Sequence, residues 1–390
     1  MKATLGLQCH LVLVASIALT SCGRSTAEPS SAAAAAVTGG NAGTCVLLAS
    51  GAVECWGLAA QGEPARTPWA VTSALRFDKL SAGSNFVCGL TSGSAYCWGW
   101  NTVGQLGNGS AINSITPVAV NGGRSFTSIS AGTAHVCAIS VGGQAYCWGS
   151  NTFGQFGNGS TTNSLEPVIV ADRQFKSIAA GSDHTCAVAL DGTMYCWGSN
   201  VNGQLGDGST ASHPTPTPVA GGGTFVSVTA GLEYSCGLTA AGSAYCWGRN
   251  TAGALGTGLA VDQHAPTAVA GGIAFVDISA ASSHTCGLTA AGLAYCWGSD
   301  AFGQLGNGAA DRLAGGDRST PTPVSGGLVF KSLAAGRYDY SDESHNSGTS
   351  GHTCGVTTAT LIYCWGDNLT GQLGVTTPAF SSSPVRVTWP

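Results

Sequence analysis

The sequence predicts an all-β, seven-bladed β-propeller with four-stranded blades. Two observations carry that expectation. A unit of about fifty residues recurs along the chain, each copy marked by Trp-Gly at Trp56, Trp98, Trp148, Trp197, Trp247, Trp297 and Trp365. Ahead of each of these tryptophans stand two cysteines nine or ten positions apart, and each unit reads as four short strand-like pieces separated by glycine-rich turns.

The cysteine pairs define hairpins. In Cys186 to Cys196, a three-residue loop at Leu190-Asp191-Gly192 places Val188 opposite Met194 and Cys186 opposite Cys196. Gly192 then occupies the position that needs positive φ. Gly51, Gly143, Gly242 and Gly292 fill the same slot. The second copy is one residue shorter, and a two-residue turn at Ser92-Gly93 restores the register, whereas Thr358-Ala359-Thr360 in the seventh copy has no glycine. Directly opposed cysteines can bridge. The expected disulfides are Cys45–Cys55, Cys88–Cys97, Cys137–Cys147, Cys186–Cys196, Cys236–Cys246, Cys286–Cys296 and Cys354–Cys364. On the other face of six of the hairpins a tyrosine, such as Tyr146 or Tyr245, covers a small residue, Ala138 or Gly237.

The remaining two strands of a unit begin at a proline (Pro117-Val-Ala-Val120) and at an aromatic (Phe126-Thr-Ser-Ile129). The first hairpin has no proline-led strand before it, and Pro384 to Val387 is such a strand with no hairpin after it. The expectation is therefore a ring closed by the C-terminal strand pairing with the N-terminal blade. That blade draws a further strand from Ala33 to Val37, where Ala34 replaces the usual Phe.

Composition narrows the functional classes. Only 8% of residues are charged, the formal charge is −5, and neither Lys nor Arg clusters along the sequence, which argues against nucleic acid as a partner. Sixteen cysteines without a Cys-x-x-Cys knuckle indicate disulfides and an oxidising compartment rather than metal, so no metal and no cofactor is expected. There is no Gly-Lys of a P-loop, no Gly-x-Ser-x-Gly and no His-Glu-x-x-His, and the chain reads as a non-enzyme.

At the amino terminus, Lys2 precedes the apolar run Leu11 to Leu19, a signal-peptide core. The run ends in Leu19-Thr20-Ser21-Cys22, which resembles the lipobox of bacterial lipoproteins and implies lipidation at Cys22. The domain reading is thus a lipoprotein signal peptide over 1–21, a flexible tether over 22–31 and the propeller over 32–390. Removing Cys9 and committing Cys22 to lipid leaves the paired cysteines above. Gly23 rather than Asp after Cys22 favours the outer membrane or cell surface in a Gram-negative host.

Trp98-Gly-Trp-Asn101-Thr-Val-Gly104-Gln105-Leu106-Gly107-Asn108-Gly109, with Ala180-Gly181-Ser-Asp-His184-Thr-Cys-Ala-Val188, resembles the repeats of the regulator of chromosome condensation family. That resemblance implies a seven-bladed propeller over about residues 32–388. The family's founder is an exchange factor for a small GTPase that binds chromatin, partners to which an exported acidic chain has no access, and none of its functional residues is carried over. A tryptophan motif for light sensing is not matched at Gly181-Ser-Asp-His184-Thr185. A secreted bacterial member that inhibits β-lactamases through its loops is the closer analogue and implies protein binding.

His135, His184, His284 and His352 recur two positions before the first cysteine of a pair, with Asn85 and Tyr234 at or near that slot. Recurrence around a ring marks them, like the tryptophans and Gln105, Gln155, Gln204, Gln304 and Gln372, as structural. The irregular feature is an insertion in the seventh copy, with Arg337, Tyr338, Asp339, Tyr340, Asp342, Glu343 and His345 as the candidate binding loop. The expected function is a monomeric, membrane-anchored scaffold binding another protein through propeller loops; a glycan ligand is the alternative, and a hydrolase or exchange factor a weaker one.

Overall fold

The computed structural model describes residues 33–41, 43–58, 64–309, 316–336 and 350–389. Residues 1–31, including Cys22 with the signal-peptide and tether assignments, lie outside the described residues, as does the candidate loop from Arg337 to His345. The propeller, Ala32–Pro390, is one compact unit.

Five four-stranded sheets and one seven-stranded sheet make up the unit. The larger sheet is two blades fused by one long strand, Ser164–Ala180, which ends the third blade and begins the fourth. Seven blades result. The first comprises Ala34–Gly39, Gly43–Leu48, Val53–Gly57 and Ala65–Ala70, hydrogen-bonded in sequence order. The first strand of each blade lines a central channel, the hairpin follows, and a proline-bearing fourth strand forms the perimeter. Proline there blunts an edge that would otherwise template pairing with another chain.

All seven cysteine pairs are disulfide-bonded between directly opposed residues, with Cα atoms 4.0–4.1 Å apart. Gly192 has φ +90°, and Thr360, in the hairpin without glycine, is held at φ +63°. Seven buried disulfides mark a chain that folds in an oxidising compartment outside the cytosol.

Each hydrophobic core lies between two blades rather than inside one. Cys88, Leu90, Cys97 and Leu106 of the second blade, for example, pack against Phe126, Val136, Ala138 and Trp148 of the third. A blade alone has no interior, and stability is therefore a sum of neighbour interfaces.

The C-terminal strand does not cross to the N-terminal blade. Phe380–Arg386 pairs within its own blade, Val385 opposite Cys364 and Arg386 opposite Tyr363. The first blade has its own proline-bearing perimeter strand, with Trp69 opposite Cys55. In sequence a proline-led strand stands between two hairpins and could join either; the loop after Trp-Gly decides for the preceding one. In the third blade Asn151 folds that loop back, its Nδ2 donating to the carbonyls of Ser160 and Thr162 and its Oδ1 accepting from Phe156 N–H.

The ring closes instead through packing. Val37, Val46 and Trp56 of the first blade share a core with Cys354, Val356, Ile362 and Leu373 of the seventh. In six blades a Phe sits 5.5–6.3 Å from the blade's Trp. The first blade has Ala34 there, and the C-terminal tail supplies Trp389, 6.3 Å from Trp56.

Candidate protein-binding surface

Because strands alternate in direction, the loops fall on two faces. The loop face carries the short turns after each first strand and the long loops after each Trp-Gly; the hairpin face carries the cysteine hairpin turns and the connections into each first strand. Gly336 and Ser350, the described residues that flank the insertion, lie on the loop face, in the slot that Gly181-Ser182-Asp183 fills in the fourth blade.

The repeated polar residues face inward. His135 Nε2 lies 3.0 Å from Thr185 Oγ1 of the next blade; Thr185 donates at 2.7 Å to the carbonyl of Gln155 in the loop of the third blade, and Trp197 Nε1 donates to the same carbonyl at 2.8 Å. One carbonyl thus accepts two hydrogen bonds from the next blade. The motif recurs through His184 and Ser235, Tyr234 and Thr285, His284 and Thr353, and finally His352 and Thr44. Thr44 and Trp56 both donate to Gln372 O, so the last copy joins the seventh blade to the first. Since each hydroxyl spends its proton on the carbonyl, each histidine donates to it from Nε2–H. Burial holds His284 at about 3 and His352 at about 4, well below the usual imidazole range.

The glutamines act through their side chains as well: Gln155 Oε1 accepts from Phe153 N–H and Gln304 Oε1 from Phe302 N–H. Their backbone carbonyls are in addition the inter-blade acceptors. Asp300 replaces the loop asparagine in the sixth blade. It is 4% exposed, and burial raises its carboxyl to about 6.

The channel is lined by Thr38, Ser81, Ser130, Thr229 and Ser279 together with alanines, and encloses about 210 Å³. These hydroxyls accept from the next blade's backbone, as in Ala131 N–H to Ser81 Oγ at 2.9 Å and Ala335 N–H to Ser279 Oγ at 2.9 Å. No ionisable side chain is among its described lining residues. Among the described residues no group of three metal-ligating side chains forms.

What remains exposed on the loop face is what the copies do not share. Trp100 is 46% exposed where other blades have Ser150, Ser199 and Ser299. Phe153, Val201 and Leu369 stand exposed in loops of the third, fourth and seventh blades. Arg249 pairs with Glu233. Sequence reading passed over Trp100 because it sits inside a repeated motif; its failure to match the serines was the available signal.

The model of the RCC1-like domain matches residues 6–339. The chain belongs to the RCC1-like domain family. Among solved structures it is similar to Prp20p of Saccharomyces cerevisiae, at 20% identity over 88% of this chain and 87% of that one, TM-score 0.73; that protein was described with its binding to Gsp1p and histones. It is also similar to human WBSCR16, at 19% identity over 84% and 86%, TM-score 0.70. The ectodomain of the receptor kinase CR4 from Physcomitrella patens matches at 26% identity over 85% of this chain and 72% of that one, TM-score 0.54. No curated protein matches the sequence.

Proposed function

We propose that this protein is an exported, lipid-anchored, non-enzymatic scaffold that binds another protein through the loop face of its propeller. The carrying observation is the division of labour just described: shared polar residues are consumed between blades, and the exposed loop positions are those where the copies differ. Seven disulfides keep such a face rigid outside the cell, which lowers the ordering cost of binding. Trp100 and Phe153 are the anchors, aromatic side chains being the usual centres of interface energy. Gly336 and Ser350, which flank the insertion carrying Tyr338, Tyr340 and Asp342, lie on the same face.

The test is affinity capture from envelope extract with the parent chain, a Trp100→Ser/Phe153→Thr variant and a Tyr338/Tyr340/Asp342 alanine variant. Loss of one partner band in either variant supports the reading; an unchanged band pattern in both sinks it. A glycan is the second reading, favoured by exposed aromatics among hydroxyl and amide groups. A glycan array that binds the parent and not Trp100→Ser would establish it instead. Mass spectrometry of the mature chain tests the acyl group on Cys22.

A further inference from the structure

Six of the Lys and Arg residues, scattered along the sequence, lie on one face of the ring. The first strand of each blade is pinned at its start to the hairpin turn of the blade before: Phe77 N–H donates to Gly51 O, Phe126 N–H to Gly93 O and Phe175 N–H to Gly143 O, all at 2.8 Å. Residues just before and after these phenylalanines therefore lie on the hairpin face. They include Arg76, Arg124 and Arg173 in the connections, and Lys79 and Lys176 on the strands; Lys331 holds the corresponding place in the seventh blade. All but Arg124 are exposed.

Two further features coincide with this arc. Val141 and Leu190, at the hairpin tips of the third and fourth blades, are 70% and 59% exposed on the same face. Ala33, at the start of the described propeller, accepts a hydrogen bond from Ala49 N–H in the first hairpin turn and so lies on this face, between the seventh and second blades. The carboxylates run the other way. Asp183, Asp207, Glu233, Asp262 and Asp317 occupy the loop face. On the hairpin face the described ones are Asp78, Asp191 and Asp277, of which Asp78 and Asp191 accept from Ser92 and Thr193 N–H.

We infer that the hairpin face of blades 7 and 1 to 4 is a membrane-docking surface for anionic lipid headgroups. Arg and Lys meet the headgroup phosphates, and Val141 and Leu190 enter the interfacial layer, a pairing of charge with apolar insertion that favours peripheral binding. Docking in this sense leaves the loop face turned away from the bilayer and open to a partner. It extends the proposed function but does not require the acyl group.

The experiment uses the unacylated chain from Gly23 onward, which retains the whole propeller unit. Co-sedimentation is measured with phosphatidylcholine vesicles and with vesicles containing about one-third phosphatidylglycerol, at low ionic strength and at about 0.5 M salt, where screening is strong. Binding is expected to the anionic vesicles alone and to fall with salt. In Arg76→Gln/Arg173→Gln/Lys176→Gln it is expected to drop about a hundredfold, at roughly fivefold per charge near the surface. The variant's thermal midpoint, compared with the parent's, separates lost docking from lost fold; a neutral substitution at an exposed hairpin-face site outside the arc, Val276→Thr, serves as a folded control that keeps binding. No sedimentation with anionic vesicles, equal sedimentation with both compositions, or retention on DNA without vesicle binding would each overturn the inference. Because Cys22 is absent, failure here leaves the anchoring and loop-face reading to their own tests.

Discussion

His352 Nε2 lies 2.8 Å from the hydroxyl of Thr44, across 308 positions of sequence. Both side chains are fully buried, and the hydroxyl passes its own proton to Gln372 O. This contact, repeated at four other junctions, takes the place of a shared strand in closing the ring.

Thr44→Val should therefore destabilise the fold by about 1–3 kcal/mol, because it strands a buried imidazole N–H. The protein already contains an apolar version of the junction: Phe86 and Val136 stand at the equivalent positions of the second and third blades. His352→Phe/Thr44→Val should accordingly lose less than the two single substitutions summed. Urea midpoints for the double-mutant cycle check this, and strict additivity would refute the coupling.

Acid should open the ring. The native pKa values of His284 and His352 are about 3 and about 4, below the unfolded value of 6.5. Between these values the unfolded chain binds protons that the native chain excludes, so stability falls as pH drops through 6.5 and continues falling towards 4. The total is on the order of several kcal/mol, since each pKa unit is worth about 1.4 kcal/mol. Thermal midpoints at pH 7.5, 5.5 and 4.5, on the parent and on His352→Phe/Thr44→Val, measure it; the variant should show a shallower decline.

Asp300 works in the opposite sense. Its native pKa of about 6 exceeds the ordinary 3.8, so its contribution is favourable at low pH and is lost as pH rises through 6. Asp300→Asn, which restores the residue found as Asn151 and Asn200, should stabilise by about 1–2 kcal/mol above pH 7 and have little effect near pH 4. Equal effects at both pH values would refute the ionisation argument.

Trp389 fills the place left by Ala34. Trp389→Ala should lower the melting temperature by several degrees, whereas Trp100→Ala on the loop face should leave it unchanged, because one residue packs into an inter-blade core and the other does not. Differential scanning calorimetry compares them directly.

The disulfides sit in those same cores, with every bonded cysteine 0% exposed. Reductant should therefore reach them only when blades part. Mass-shift assays of thiol capture against urea concentration should show all seven pairs lost together with the fold; stepwise loss in native buffer would contradict this.

Much of the architecture was legible because its causes are local. A three-residue loop ending in glycine sets a hairpin's register within ten residues, and register brings Cys186 opposite Cys196 whatever the rest of the chain does. The repeat then multiplies one legible unit around a ring. Lysine and arginine spacing carried no such signal, since residues one blade apart in sequence become neighbours only on a common face.

The sequence by itself determined the repeat number, the hairpin registers, the disulfide pairs and the structural role of the recurring His, Trp and Gln. Only the tertiary structure decided how the ring shuts. A proline-led strand between two hairpins satisfies local pairing rules with either, and the choice rests on a loop folded by Asn151 and its counterparts. Only in three dimensions do His352 and Thr44 meet, Trp389 take the place vacated at Ala34, and six basic residues come to share the hairpin face. The physical reason is that closure and surface charge depend on contacts between the ends of a circle, which no local pattern encodes.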